Sequence, residues 1–189
     1  MPNWCSNNLN ITGPKEDLDR FRDAAVGERP RYAKEGDFPH DMGGEEDDRH
    51  EVLSFHALVP IPEEILEAGY NGKNNALVQS GHGAETSLWG VKWGACGEVE
   101  RYIDSTSLSY SFETAWGPPC RLIETVAPQY PTLRFHINYM EEGMCFKGDY
   151  VQKGDKVLLD QSSDIMYSDI VDMYGKDYAD EYYDFGEEE

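Results

Sequence analysis

Between Ser107 and Trp116 the chain alternates without a break. Leu108, Tyr110, Phe112, Thr114 and Trp116 fall on one side, and Ser107, Ser109, Ser111 and Glu113 on the other. A side-chain period of two is what a half-buried β-strand requires, because successive Cβ atoms point to opposite faces of a sheet. Three more segments repeat the pattern. Cys5, Asn7, Leu9 and Ile11 oppose Ser6, Asn8, Asn10 and Thr12; Leu53, Phe55, Ala57 and Val59 oppose Ser54, His56 and Leu58; Leu133, Phe135, Ile137 and Tyr139 oppose Arg134, His136, Asn138 and Met140. A chain with four such segments folds around an antiparallel sheet.

Two helices fit between them. Pro14 suits a first helical turn, acids follow it, and Leu18, Phe21 and Ala25 recur at helical spacing, so a helix is expected from about Pro14 to Ala25. Pro118-Pro119 opens a second through Leu122, Ile123 and Val126, which ends before Pro128. Turn signals at Glu142-Gly143 and Lys153-Gly154-Asp155 imply extra strands, Met144 to Val151 and Lys156 to Leu159. The order strand, helix, strand, strand, helix, strand is the ferredoxin-like βαββαβ arrangement, α+β, with two helices on one face of an antiparallel sheet. Residues 62–104 exceed a hairpin connection and are read as an insertion between strands 2 and 3, with a short helix at Glu63 to Ala68. The division expected is a domain over residues 1–159 and an acidic amphipathic helix and tail over 160–189.

Charge narrows the function. The chain has 37 acidic and 16 basic residues, a net charge of -21, and a field of that sign repels phosphate backbones and acidic membranes. Direct nucleic-acid binding is not expected. Acids concentrate from Glu35 to Glu51, interleaved with glycines as in a solvated loop, and again from Asp160 to Glu189. No apolar run is long enough to span a bilayer. With no signal-peptide pattern and four scattered cysteines, Cys5, Cys96, Cys120 and Cys145, reduced thiols in a bacterial cytosol are expected.

Met1-Pro2-Asn3-Trp4-Cys5-Ser6-Asn7-Asn8-Leu9, Trp89-Gly90-Val91-Lys92-Trp93 and Phe112-Glu113-Thr114-Ala115-Trp116-Gly117-Pro118-Pro119 occur in that order. In combination they resemble the YubB-type family encoded on bacteriophages and plasmids, a ferredoxin-like domain of unknown function. The likeness runs from Met1 to about Val151. An Asp often stands before Thr-Ala-Trp in that family; Glu113 stands there here. The resemblance implies the fold and a mobile-element origin, and it carries no activity or catalytic residues.

Three candidate sites follow. On the helix-free sheet face Asn8, Asn10, His56, Glu113 and His136 would form a hydrogen-bonding pocket for a small polar ligand. The same residues suit a face that is merely solvated or covered by the insertion and tail. The positions where related RNA-recognition sheets carry stacking aromatics are small and polar here. The second set is Trp89, Lys92, Trp93 and Trp116, which offers rings and a cation to a planar ligand, or else anchors the insertion as core. In the third, Met166, Ile170, Met173, Tyr174 and Tyr178 recur at helical spacing beside Asp164, Asp169 and Asp172. That pattern fits a helix docked on the sheet or an arm for a basic partner. No catalytic set, metal site or cofactor is expected. The reading is a non-catalytic phage- or plasmid-encoded accessory protein that binds a host protein or a small polar ligand and counters a host defence. The alternatives are an acidic DNA mimic acting on a nucleic-acid-binding protein, and a hydrolase or nucleotidyl enzyme built on His56, Glu113 and His136.

Overall fold

The computed structural model describes residues 2–33, 50–71 and 80–182. The acidic loop expected from Glu35, except for His50 and Glu51, and the glutamates at the C-terminus lie outside the described residues. Strand β1 (Trp4–Thr12) leads into α1 (Lys15–Ala25). A two-residue ribbon follows, β2 (Gly27–Glu28) with β3 (His50–Glu51), then three short helices, α2 (Phe55–Leu58), α3 (Glu63–Ala68) and α4 (Gly81–Trp89). Next come β4 (Cys96–Ile103), β5 (Ser107–Ala115), α5 (Cys120–Val126) with one 3₁₀ turn after it, β6 (Arg134–Glu141), β7 (Phe146–Lys153), β8 (Lys156–Asp164), α6 (Tyr167–Tyr174) and α7 (Lys176–Tyr182). The six long strands form one sheet in the order β4-β5-β1-β6-β7-β8, antiparallel throughout. The unit β1-α1-β4-β5-α5-β6 is therefore the ferredoxin-like βαββαβ fold, widened by β7 and β8.

The alternation in β1 decides its faces. Cys5, Leu9 and Ile11 are buried toward the helices, and Ser6 and Asn8 are exposed on the other side. Phe21, on the buried stripe of α1, meets Tyr110, Tyr130 and Phe135 edge-on at centroid distances of 6.4, 5.4 and 5.4 Å. Each ring buried this fully contributes roughly 1.5–3 kcal/mol. Asn7 is also buried on this side. Its amide donates to the Cys5 carbonyl and to Thr114 Oγ1, both at 2.8 Å, and Thr114 Oγ1 donates to the Gly117 carbonyl at 2.6 Å. Two of the sequence motifs are thus stitched together by one buried polar chain, which leaves none of its members unsatisfied.

The second strand expected at Leu53 to Val59 does not form. Ser54 caps a single helical turn there by accepting from the Ala57 amide at 3.2 Å, and Phe55 packs edge-on to Trp89 and Phe112. Leu53, Phe55 and Val59, buried around the capped turn, imitate a period of two over so short a run, although Ala57 between them is exposed and Ser54 is buried. The fold's second strand is β4, so the insertion lies between α1 and the second strand, not between strands 2 and 3. β4 escaped notice because it is an edge strand with a register shift between Cys96 and Glu100, and Gly97 there has φ 72°.

The boundary expected at residue 159 is not a boundary either. β8 continues to Asp164, with Asp160 opposite Tyr150. The single amphipathic helix expected beyond it is two short helices broken at Gly175, φ 87°. Ile165, Ile170 and Ala179 are buried with Met140, Tyr167 and Val171, while Met166, Met173, Tyr174 and Tyr178 stay exposed. Lys147 pairs with Asp169, and the Tyr174 hydroxyl donates to Glu142 at 2.6 Å. The helices therefore dock over one end of the sheet. Ile170→Ser should release them. Hydrogen exchange would show lost protection over residues 167–182 with the sheet's protection unchanged; a loss shared by β1 and β6 would contradict independent docking. No helix among the described residues is long and apolar enough to cross a membrane.

Candidate functional site

Strand register lays out in rungs the face that α1 and α5 leave uncovered, helix-free except where α6 and α7 dock at the end marked by Met140 and Lys147. Glu100, Ser111, Asn8, Asn138, Asp149 and Gln161 line up across β4, β5, β1, β6, β7 and β8. The neighbouring rung is Tyr102, Ser109, Asn10, His136, Val151 and Leu159. On the other side, Glu113, Ser6, Met140, Lys147 and Ser163 align across β5 to β8. With neighbouring strands about 4.8 Å apart, the Glu100 and Asp149 backbones stand about 19 Å from each other.

The side chains of this face bond to one another. Ser111 Oγ donates to Asn8 Oδ1 at 2.9 Å, and Asn10 Nδ2 donates to Ser109 Oγ at 2.8 Å. His136 Nε2 and Asp149 Oδ1 are 2.7 Å apart, and Asn138 Nδ2 donates to Asp149 Oδ1 at 3.3 Å and to the Gly148 carbonyl at 3.4 Å. Burial pushes the Asp149 carboxyl up, but the hydrogen bonds from His136 and Asn138 outweigh it and hold the group below its ordinary value. A carboxylate accepts only, so Nε2 of His136 carries the hydrogen toward Asp149.

Toward the β4 edge the face sinks into an open groove of about 410 Å³ bordered by Ser6, Asn8, Glu98, Glu100, Ser111 and Glu113. Beside Glu113 the left-handed backbone of Gly97 makes room; a Cβ there would stand 3.2 Å from Glu113 Oε2.

Of the residues expected on this face, Asn8, Asn10, Glu113 and His136 are there. His56 is not: it lies on α2, where its Nδ1 accepts from the Ile61 amide at 3.1 Å, so the set His56, Glu113 and His136 is not assembled. No group of three His, Cys, Asp or Glu among the described residues could hold a metal ion. Asp149, Glu98 and Glu100 were missed. The alternation of Lys147, Asp149 and Val151 would have revealed the first, and recognising β4 the other two.

The tryptophans divide. Trp89 is core, 1% exposed, with its indole N–H donating to the Val59 carbonyl at 2.9 Å, and is not available to a ligand. Trp4 and Trp93 pack at 6.3 Å, and the Lys92 ammonium sits 3.8 Å from the Trp93 ring and 5.9 Å from the Trp116 ring. Burial pulls the Lys92 ammonium below its ordinary pKa, against the attraction of Glu85. Trp116, 46% exposed, donates its backbone N–H to the Asn3 carbonyl at 2.9 Å. The three sequence motifs therefore meet at one end of the sheet, and the first and third of them border the groove.

Glu85 underlies this end. It is 0% exposed, accepting from the Trp93 backbone N–H at 2.8 Å and from the Tyr32 hydroxyl at 2.8 Å. The first of these bonds holds Trp93 at φ 72°, a conformation unusual for a bulky side chain. Burial pushes the Glu85 carboxyl up to about 7.

Of the tail residues expected to meet a partner, Asp169, Ile170 and Tyr174 engage the domain itself, whereas Asp164, Asp172 and Tyr178 are exposed.

Residues 89–186 match the family model described as a ferredoxin-like domain in Api92-like protein. The chain belongs to the Api92-like family. The crystal structure of protein api92 from Yersinia pseudotuberculosis is similar, with a TM-score of 0.62 and 12% sequence identity over 88% of this chain and 99% of that one. At that identity the likeness establishes the Api92-like fold and nothing about activity. No curated protein matches the sequence.

Proposed function

We propose that this Api92-like chain is a non-catalytic accessory protein, encoded on a phage or plasmid, that binds a host protein in the bacterial cytosol and so counters a host defence. The observation that supports binding is the hydrogen-bonded array of Ser, Asn, His and Asp side chains on the helix-free face. Its side chains are small at the centre, and the groove is open along one side. A pocket for a small molecule buries most of its ligand; a shallow, open trough suits a protein segment better. The mobile-element origin rests on the resemblance of the three motifs. The motifs themselves have structural work in this chain, through Asn7, Thr114 and the Asn3 carbonyl.

Ser111→Arg tests the reading, since it drives a long side chain into the middle of the face without touching the core. Affinity capture from a bacterial lysate, with the captured protein identified by mass spectrometry, should give a partner that the folded variant retains at least about tenfold less. A partner held equally by both would place binding elsewhere on the molecule.

A further inference from the structure

We propose that the helix-free face recognises arginine side chains on an exposed segment of the partner protein. The inference rests on the function proposed above and names the chemistry of the partner. It follows from which hydrogen-bonding positions the face leaves open. Asn138 turns its NH₂ toward the Gly148 carbonyl and the Asp149 carboxylate, both acceptors, so its Oδ1 faces outward. His136 directs Nε2–H at Asp149, so the lone pair of Nδ1 remains for a ligand when the ring is neutral. Glu98, Glu100 and Glu113 border the groove, and among the described residues none of them has an ion pair or a hydrogen-bond donor. The one lysine of these rungs, Lys147, is already paired with Asp169. Arg134 and Lys153, cations of this face that enter no ion pair among the described residues, share the rung of Thr12 at its far end. Around the groove the face is rich in acceptors and negative, and an occupant there must supply donors and positive charge.

Arginine meets that requirement better than lysine. A guanidinium offers five N–H donors in a plane, matching a flat acceptor array, whereas an ammonium acts as a point charge. At the edge of the same face Tyr102 is 66% exposed and presents a ring on which a guanidinium can stack.

The test is fluorescence anisotropy with a fluorescein-labelled peptide of four arginines spaced by serines, its lysine counterpart, and the full-length chain in about 150 mM salt, where long-range attraction is screened. The arginine peptide should bind about tenfold more tightly than the lysine peptide. Glu100→Gln with Glu113→Gln should weaken it about tenfold, and Tyr102→Ala should narrow the gap between the two peptides. All three positions are away from the core, and unchanged circular dichroism would confirm folding. Equal affinity for both peptides, indifferent to these substitutions, would reduce the effect to net charge and overturn the inference. No binding of either peptide would also overturn it. The broader reading would survive either result if the lysate partner were still lost with Ser111→Arg.

Discussion

The wild-type protein should lose stability as pH rises from 5 to 8, and Glu85→Gln should flatten that fall. In the folded chain burial raises the Glu85 carboxyl from 4.5 to about 7, whereas in the unfolded chain it titrates normally. Between those values the native state holds a proton that the unfolded state has lost. The contribution is thus fully present below about pH 4.5, declines as pH rises through the folded value, and levels off above it. The span corresponds to about 3 kcal/mol. Glutamine removes the titration and keeps the geometry, because its oxygen accepts from the Trp93 amide and its NH₂ donates to Tyr32. The variant should match the wild type near pH 5 and exceed it by up to about 3 kcal/mol at pH 8. Glu51, also pushed by burial to about 7 despite its pairing with Arg29 at 2.5 Å, should leave a residual fall that the double variant removes. What then remains is the opposite contribution of His56, whose pKa burial lowers and which adds stability as pH rises toward its ordinary value of 6.5. Carboxylates held below their ordinary values, Asp104 and Asp149 among them, act in the opposite sense and lose their contribution below about pH 4, outside this window. Urea unfolding at four pH values measures the slopes; parallel lines for wild type and Glu85→Gln would refute the account.

Trp89→Ala should cost about 3–5 kcal/mol, against less than about 1 kcal/mol for Trp116→Ala. The two residues read alike in the sequence. Trp89 is enclosed by the core, its ring 5.8 Å from that of Phe55, and its loss leaves both a cavity and an unpaired Val59 carbonyl. Trp116 is half exposed at the end of β5. Denaturation midpoints at constant m-value would separate them. Equal losses would mean that Trp116 bears more of the fold than its exposure indicates.

What could be read in advance followed from burial pattern. β1, β5 and β6 are covered by helices on one face and wet on the other, so their alternation is clean and their open-face residues, Asn8, Asn10, Glu113 and His136, were legible. β4 has an edge, a register shift and water on much of both faces, so Glu98, Val99 and Glu100 carry no period. Leu53 to Val59 carries a period and no strand, since Ser54 is buried as a helix cap and not as a core-facing residue. In the tail the conspicuous methionines and tyrosines remain exposed while the inconspicuous Ala179 is fully buried. Hydrophobicity alone does not tell which side of a short helix will meet a sheet whose end is set by Met140 and Lys147. Glu85 was invisible for a related reason: nothing local marks a carboxylate whose donors, Tyr32 and the Trp93 amide, come from two other segments.

Of the strands in the six-stranded sheet β1 is made first, and it waits longest for a partner. Its neighbours in the sheet are β5 and β6, so during synthesis at about 5–20 residues per second it waits several seconds for either edge to be covered. A strand in that position is open to pairing with other nascent chains. The small polar residues that give the finished sheet its open face, Ser6, Asn8 and Asn10, also dilute the apolar character of this waiting strand. Substituting them with valine would be felt first as loss of yield on the ribosome and only afterwards in the folded protein.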